Sequence, residues 1–320
     1  MQSTMLCQGD HVVSKSIQKL FADASCDGWL CVLDIDGTAE VHVGGDDLVV
    51  AASVFKVAIA VEVFRQADAG HFDLQDRVRI RPNARTVGPT GFSTFADEVD
   101  ASIRDLTRMM LVVSDNAATD ILIDRVGLDR VRATLTELGL KVTAIPFSLQ
   151  GMLDSIGQDA RFTDWAELTH ATATARSADE SQELQERLWS SRAMQPEHAI
   201  RTTAREMARL LRLIWRDEAG PAEACAQVRH LMAQQVTKNR LAMGFQRDVR
   251  VAAKSGSLFG VIRNEIGVLE RTDGRRYAAA VFTRAHRPWI NENEINTVIG
   301  TAAALAIDQI NRKAPGAEAP

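Results

Sequence analysis

The stretch Ser53-Val54-Phe55-Lys56 places a hydroxyl three residues before an amine, inside an apolar segment of the chain. Residues three apart lie on one face of a helix, so the two side chains are predicted to meet. Burial disfavours the charged form of a lysine and lowers its pKa. A neutral lysine beside a serine can accept the hydroxyl proton and turn the serine into a nucleophile. The stretch therefore predicts a buried helix that carries a nucleophile, Ser53, and its base, Lys56.

Two further short motifs follow, and the three together indicate a family. Ser114-Asp115-Asn116 ends one helix-like stretch, and Lys254-Ser255-Gly256 lies towards the C-terminus. In this order the three motifs resemble the signature of class A β-lactamases and penicillin-binding proteins, serine proteins that react through an acyl-enzyme. By the order of elements the resemblance covers roughly residues 11–310, but its specific matches are confined to the three motifs and their flanks.

The predicted elements fit one β-lactamase-like α/β domain. A helix and two strands precede Ser53, a long helical block follows, and strands and a terminal helix close the chain. Asp36-Gly37 is a strong signal for a hairpin turn between the first two strands. The resemblance implies an antiparallel sheet flanked by helices, with an all-helical subdomain inserted. Residues 1–56 and 205–320 are predicted to form the discontinuous α/β part, and residues 57–204 the insert.

The resemblance also implies roles for individual residues. Ser53 would be the nucleophile, Lys56 its base, and Ser114 the shuttle that passes a proton to the leaving group. The substrate-binding residues that it implies are Asn116, Lys254, Ser255, Gly256, Ser257 and Arg263. Gly256 is expected to let the substrate backbone approach closely. For Arg263, binding of a substrate carboxylate and a surface salt bridge are both open.

An oxyanion hole is the other part of the site that the resemblance implies. The backbone N–H groups of Ser53 and Ser257 would form it. One such donor typically contributes about 2.7–4 kcal/mol at the transition state.

The base for releasing the acyl group is the departure from the family pattern. Class A β-lactamases carry a glutamate in an E-x-x-L-N motif between the second and third motifs, and no such motif occurs here. The nearest string, residues 164–169 (DWAELT), puts Trp165 at the glutamate position. Asp164 and Glu167 are weak candidates for a substitute. The sequence therefore predicts intact acylation and slow hydrolysis of the acyl-enzyme.

Composition and charge argue against several other classes of function. Hydrophobic residues make up 46% and charged residues 25%, as in ordinary soluble domains. A net charge of −5 with dispersed Lys and Arg gives no basic patch for nucleic acid. The four cysteines and seven histidines show no metal-ligand spacing, so we expect neither metal nor cofactor. Lys56 and Glu62 interrupt the longest apolar stretch, residues 48–64, which is therefore not a membrane span.

Location and substrate remain open at this stage. Residues 1–10 lack the charged and apolar regions of a signal peptide, so the sequence as it stands indicates a cytoplasmic protein, unless a leader has been removed. Three functions with a small-molecule partner fit the motifs. The leading one is hydrolysis of a β-lactam through an acyl-enzyme. The alternatives are hydrolysis of an ester, amide or peptide of a small metabolite, and penicillin binding with slow or no release. Transfer of the acyl group to an acceptor other than water is also open.

Overall fold

A single antiparallel sheet and its two helical layers organise the chain. The computed structural model describes residues 2–246 and 248–313. The strands are β1 Cys26–Asp34, β2 Glu40–Val43, β3 Val49–Val50, β4 Arg77–Ile80, β5 Val99–Ser102, β6 Arg201–Thr202, β7 Val249–Leu258, β8 Ile262–Arg271 and β9 Arg276–Ala285. The helices are α1 Gln2–Asp23, α2 Lys56–Asp68, α3 Ile103–Val112, α4 Asn116–Val126, α5 Leu128–Glu137, α6 Leu149–Asp159, α7 Trp165–Thr174, α8 Ala178–Trp189, α9 Ala204–Trp215, α10 Ala222–Ala233 and α11 Glu292–Lys313.

The main sheet has the strand order β2-β1-β9-β8-β7, so β7 lies at one edge. All its pairings are antiparallel, and the register places Gly256 of β7 opposite Asn264 of β8. Two short pairs, β3 with β6 and β4 with β5, lie outside it. The prediction of an antiparallel sheet flanked by helices is confirmed.

The two faces of the sheet are buried against different helices. Along β1, Leu30 and Val32 belong to the core that α1 and α11 cover, whereas Cys31 and Leu33 belong to the core under the remaining helices. This alternation follows from the two-residue period of side chains in a strand. The sheet is therefore the middle layer of the protein.

Helix α2 runs through the centre of the helical layer. Its residues 56–64 are all buried, which is typical of a helix that is apolar on every side. Lys56 and Glu62 are its two charged residues in this range, and Glu62 accepts hydrogen bonds from Thr134 Oγ1 (2.5 Å) and Gln66 Nε2 (2.6 Å). Helix α2, which begins at Lys56, packs against α3, α4, α5 and α10. These contacts hold it in place.

Two predicted helices differ from those observed. Ser53 lies in a 3₁₀ turn, Ala52–Phe55, and the α-helix begins only at Lys56. The charged segment 171–192 has a helical pattern that predicts one helix, but the structure divides most of it between α7 and α8. Ser177 separates them because its side chain caps α8 by accepting the N–H of Glu180. The subdomain boundaries stay a prediction. None of the helices in the described ranges is long and apolar enough to cross a membrane.

Candidate active site

Three connections between elements bring the three motifs together. Ser53 lies in the turn between β3 and α2, Ser114 in the link between α3 and α4, and Lys254 on the edge strand β7. Ser114 has a φ of +64°, a left-handed backbone conformation that non-glycine residues seldom adopt. Such strain persists only where the surrounding structure imposes it, and it is common at functional sites.

The Lys56 side chain is fully buried and bound to the second motif. Its Nζ donates to the carbonyl oxygen of Ser114 (2.8 Å) and to Asn116 Oδ1 (2.9 Å), and lies 3.4 Å from Ser114 Oγ. Burial lowers the pKa of Lys56 to about 7, against the opposing charges of Asp115 and Asp120. Among the described residues none of its hydrogen bonds reaches Ser53. Catalytic hydrogen bonds often tighten only when substrate is bound.

Lys254 approaches the same serine from the opposite element. Its Nζ donates to Ser114 Oγ (3.0 Å) and to the carbonyl oxygen of Ser255 (2.7 Å). Burial holds the pKa of Lys254 well below its usual value, and the positive charges of Lys56 and Arg240 lower it further. Ser114 Oγ therefore lies between two buried amines, a position suited to passing protons.

Six of the nine predicted site residues line one pocket of about 500 Å³. The six are Ser53, Ser114, Asn116, Ser255, Ser257 and Arg263. Lys56 and Lys254 are absent from the lining, but both are hydrogen-bonded to Ser114, which lines it. The structure thus gathers the predicted residues around a cavity of the size that small-molecule sites have.

Gly256 has a structural role in the contact between two of these elements. A Cβ atom on it would lie 3.0 Å from the backbone nitrogen of Ser53 and 3.1 Å from the carbonyl oxygen of Ala51. It is not one of the described residues that line the pocket. We had expected Gly256 to make room for substrate; in the structure the nearest backbone is the turn of Ser53. A glycine here lets that turn pack directly on β7.

Two arginines support the β7 side of the pocket. Arg263 lines it and forms an ion pair with Glu292 and a 3.3 Å hydrogen bond to Asn296 Oδ1, both on α11. Arg240, which the motifs did not indicate, is buried and donates to Ser257 Oγ (2.5 Å) and to the carbonyl oxygen of Gly256 (2.8 Å). Burial lowers the pKa of Arg240 to about 10. Both guanidinium groups add positive charge to this side.

Gln235 and Thr237 are further residues that the sequence analysis missed. Gln235 accepts the backbone N–H of Ser255 and donates to Glu265 Oε1 (2.9 Å). Thr237 lines the pocket, and its Oγ1 accepts from Ser255 Oγ at 3.3 Å. Neither belongs to a recognisable motif, because both reach β7 from the loop after α10. Only the folded chain brings them beside Ser255.

Asp115 and Asn116 hold the loop that forms another wall. The Asp115 carboxylate accepts the backbone N–H of Phe92 (2.6 Å) and Ser93 Oγ (3.0 Å), and it caps α4. Asn116 Nδ2 donates to the carbonyl oxygen of Val87 (2.9 Å). Through these contacts Asp115 and Asn116 fix the loop against the start of α4.

Asp120, one turn further along α4, ties two walls of the pocket together. Its carboxylate accepts Thr86 Oγ1 (2.6 Å) and the backbone N–H groups of Leu149 and Gln150 (both 2.8 Å). The loop that starts at Thr86 and the N-terminus of α6 are thus fixed to the same side chain. This contact sets where Leu149 lies.

The wall that α6 and α7 supply is apolar. Leu149, Met152, Leu153 and Trp165 line it, and among the described residues that line the pocket none is an aspartate or a glutamate. Within the described part of the chain, no carboxylate thus contacts the cavity.

Asp164 and Glu167, the two weak candidates for a substitute base, are outside the lining and occupied elsewhere. Asp164 accepts the N–H of Glu167 at the start of α7, and Glu167 Oε2 accepts the N–H of Thr163 (2.6 Å). This last hydrogen bond lowers the pKa of Glu167 and makes it a weaker base. Within the described ranges, no three His, Cys, Asp or Glu residues are grouped to bind a metal ion.

Most of the chain matches one known protein family. A family model described as the beta-lactamase enzyme family matches residues 12–310. The chain belongs to this family. The catalytic roles predicted for the residues of its three motifs stay predictions.

Relatives with different descriptions resemble the chain. The beta-lactamase regulatory protein BlaB of Streptomyces cacaoi is 27% identical over 292 residues, 86% of this chain and 91% of BlaB. A beta-lactamase structure from Sphaerobacter thermophilus has a TM-score of 0.72 at 20% identity and covers 95% of this chain and 98% of its own. A PBP-A mutant in an acyl-enzyme complex with penicillin G has a TM-score of 0.72 at 21% identity, covering 94% and 97%. At these identities the two structures establish the fold.

Proposed function

We propose that this protein is a serine hydrolase that opens a β-lactam ring by forming an acyl-enzyme on Ser53 and releases the acyl group slowly. One observation carries the proposal: Ser53, Ser114 and the edge strand β7 meet at a pocket that contains no carboxylate among its described residues. The meeting of Ser53, Ser114 and β7 at one pocket supports acylation. The lack of a carboxylate among the described lining residues supports slow release. The family membership supports the reaction type.

Acylation needs a base, an oxyanion hole and an acid for the leaving nitrogen. Lys56, whose pKa burial lowers to about 7, accepts the Ser53 hydroxyl proton in its neutral form while Ser53 Oγ bonds to the lactam carbonyl carbon. The backbone N–H groups of Ser53 and Ser257 stabilise the oxyanion. The carbon–nitrogen bond then breaks, and Ser114 gives its proton to the ring nitrogen. Lys56 returns a proton to Ser114 across the 3.4 Å separation of Nζ and Oγ, and becomes neutral again.

Charge at the β7 end favours a substrate with a carboxylate. Lys254, Arg240 and Arg263 are close to Ser255 and Ser257, and the hydroxyls of Ser255 and Thr237 face the same cavity. Arg263 is the one ionisable side chain among the described residues that line it. A carboxylate on the leaving-group side would be attracted to this end.

Release of the acyl group requires a water molecule and a base that activates it. A well-placed general base contributes typically about 10²–10⁴-fold. In place of such a base, α6 presents Leu149, Met152 and Leu153 to the pocket. The acyl-enzyme is therefore expected to accumulate.

The test follows acylation and release separately. Wild-type protein is mixed with a chromogenic cephalosporin, and intact-mass spectrometry measures the Ser53 adduct while absorbance measures ring opening. We expect a burst of about one equivalent followed by a slow steady state. Turnover at the acylation rate with no adduct would overturn slow release. Absence of both adduct and ring opening would overturn the β-lactam substrate and favour an ester or amide of a small metabolite.

A second function is favoured by the same pocket. If the acyl-enzyme does not turn over at all, the protein acts as a penicillin-binding sensor whose acylated form is the signal. The similarity to a protein described as a beta-lactamase regulatory protein supports this alternative. An adduct that persists for hours, with no steady-state ring opening, would distinguish the sensor from a slow hydrolase.

A further inference from the structure

The turn that carries Ser53 contains a strained residue directly before the nucleophile. Ala52 has a φ of +46°, in the left-handed region that a residue with a Cβ atom seldom adopts. A conformation of this kind has to be imposed by the contacts around it. Because Ala52 and Ser53 share a peptide bond, the conformation of Ala52 sets the direction of the Ser53 backbone N–H. The contacts that impose it therefore bear on the oxyanion hole proposed above.

One buried side chain binds the carbonyl groups that precede Ala52. Asn264 on β8 is 1% exposed, and its Nδ2 donates to the carbonyl oxygens of Val50 (2.9 Å) and Ala51 (3.1 Å). Its Oδ1 accepts the backbone N–H of Thr283 on β9 (3.2 Å). These partners fix which end of the amide faces the turn, since Nδ2 can only donate and Oδ1 can only accept. Asn264 thus ties the turn to the interior of the main sheet.

A second contact holds the same peptide group from its other end. The backbone N–H of Ala51 donates to the carbonyl oxygen of Ile200 (2.9 Å). The peptide group between Val50 and Ala51 is therefore bound at its N–H by Ile200 and at its carbonyl by Asn264. The next carbonyl, that of Ala51, is bound by Asn264 as well. The chain thus enters Ala52 with little freedom to rotate.

The strand register relates Asn264 to the other half of the oxyanion hole. Asn264 lies opposite Gly256 in the pairing of β7 and β8, and Ser257 follows Gly256 along β7. The strand pair that carries the N–H of Ser257 is therefore also the one that holds the turn of Ser53. Such donors must lie about 2.7–3.1 Å from the oxyanion, so their separation has to be set accurately.

We propose that Asn264 is a positioning residue, whose hydrogen bonds impose the left-handed conformation of Ala52 and thereby aim the N–H of Ser53 at the developing oxyanion. This inference rests on the proposed acylation of Ser53. Asn264 is not one of the described residues that line the pocket, so it acts through the turn rather than on the substrate. A displacement of about 1 Å in such a group can lower a rate by about 10²-fold.

The test separates the chemical step from substrate binding. Intact-mass spectrometry measures the rate of Ser53 adduct formation over a range of cephalosporin concentrations. Asn264→Ala should lower the maximal acylation rate constant about 10- to 100-fold. The half-saturating concentration should change less than about 3-fold, because the residues that line the pocket are unaltered. Asn264→Thr, a residue that suits a strand and lacks the amide, gives the same comparison where Asn264→Ala does not fold.

Ala52→Gly provides a rescue that distinguishes positioning from stability. Glycine adopts positive φ without steric cost, so the turn then depends less on Asn264. In the Ala52→Gly background, the loss of rate that Asn264→Ala causes should be at least about 3-fold smaller than in the wild-type background, since residues of one network are coupled. A side chain that merely stabilises the fold would give the same loss in both backgrounds.

Asn311→Ala is the matched control. Asn311 on α11 accepts hydrogen bonds from Arg275 Nη1 (2.8 Å) and the Tyr277 hydroxyl, and it is outside the described lining of the pocket. This variant should lose stability and still acylate at the wild-type rate. A folded Asn264→Ala protein with the wild-type maximal rate, or a loss that Ala52→Gly does not reduce, would overturn the positioning role while the Ser53 chemistry stands. Absence of an adduct in both the wild type and Asn311→Ala would overturn the proposed acylation, and the positioning role with it.

Discussion

The two sides of the pocket are built on different physical principles. On the β7 side, buried amines and guanidinium groups surround hydroxyls, with Lys56 and Lys254 both within 3.4 Å of Ser114 Oγ. On the α6–α7 side, Leu149, Met152 and Leu153 form an apolar wall. In the proposed mechanism the first side supplies the groups for acylation, whereas the described lining residues of the second include no carboxylate that could activate water. A family fold can thus keep one half of a reaction while the other half depends on a few side chains.

Replacing the nucleophile should produce the largest effect, because it removes the group on which both sides of the pocket act. Ser53→Ala should lower adduct formation with a β-lactam at least about 10⁴-fold. Intact-mass spectrometry measures this, and circular dichroism verifies the fold. Ser190→Ala, at an exposed serine in another part of the chain, should label as the wild type does. An adduct that persists on another residue in Ser53→Ala would refute the assignment.

Placing a carboxylate on the apolar wall should give that side of the pocket a group that can act as a base. Leu149→Glu introduces a potential base at the N-terminus of α6, where the helix dipole favours negative charge. Release of the acyl group should accelerate by about 10²-fold or more, within the range typical of a general base. The decay of the Ser53 adduct, followed by mass after removal of excess β-lactam, measures this.

Leu149→Gln is the matched control for that substitution, since it is polar and of similar size but cannot accept a proton. Its adduct should decay at the wild-type rate. Because Leu149 is only 4% exposed, thermal unfolding of both variants must show that they fold. Equal acceleration by Gln and Glu would mean that polarity or loosened packing, rather than a base, had limited release.

The pH dependence of acylation tests the protonation state of Lys56, on the side of the pocket with the buried amines. Lys56 must be neutral to accept the Ser53 proton, and burial lowers its pKa to about 7. Acylation should therefore be fast above pH 7 and fall as pH drops, to about 30-fold below its plateau at pH 5.5. Asp115 and Asp120 raise this pKa by their charge, and Lys254 is the other buried amine at Ser114. Lys56→Met should give a low rate with no inflection near pH 7. A wild-type midpoint near 10 would contradict a neutral Lys56.

The smallest effect should come from the carboxylates next to the apolar wall. Asp164 accepts the N–H of Glu167 as the N-cap of α7, so Asp164→Ala should cost about 1 kcal/mol of the free energy of unfolding. Denaturant unfolding measures that change. Decay of the acyl-enzyme should keep its wild-type rate in Asp164→Ala and in Glu167→Gln. Slower decay in either variant would show that a base acts on the acyl-enzyme from outside the pocket lining.

Several parts of the site were predictable because their signal is local. Ser53 and Lys56 are three residues apart within an apolar segment, and burial of that segment follows from its composition. The turn signal at Asp36-Gly37 predicted the hairpin between the first two strands, which the structure shows as β1 and β2. In each case neighbouring residues carry the information, since helix faces, hairpin turns and side-chain alternation have short sequence periods.

Other parts of the site had no local signal. Leu149 enters the pocket because Asp120, 29 positions earlier, binds its backbone N–H. Arg240 reaches Ser257 from 17 positions away and has no motif around it. Trp165 was aligned with a missing glutamate by its spacing, but its packing against Phe259 was not foreseeable.

The sequence by itself indicated the family, predicted a nucleophile with a nearby lysine, and lacked the E-x-x-L-N glutamate motif. Only the tertiary structure decided which residues form the apolar wall and which arginine supports β7. It also decided that the Asp164 and Glu167 carboxylates bind backbone N–H groups at the start of α7 and do not line the pocket. The physical reason is range: motifs reflect contacts between near neighbours, whereas a pocket wall is set by long-range packing and by hydrogen bonds between distant segments.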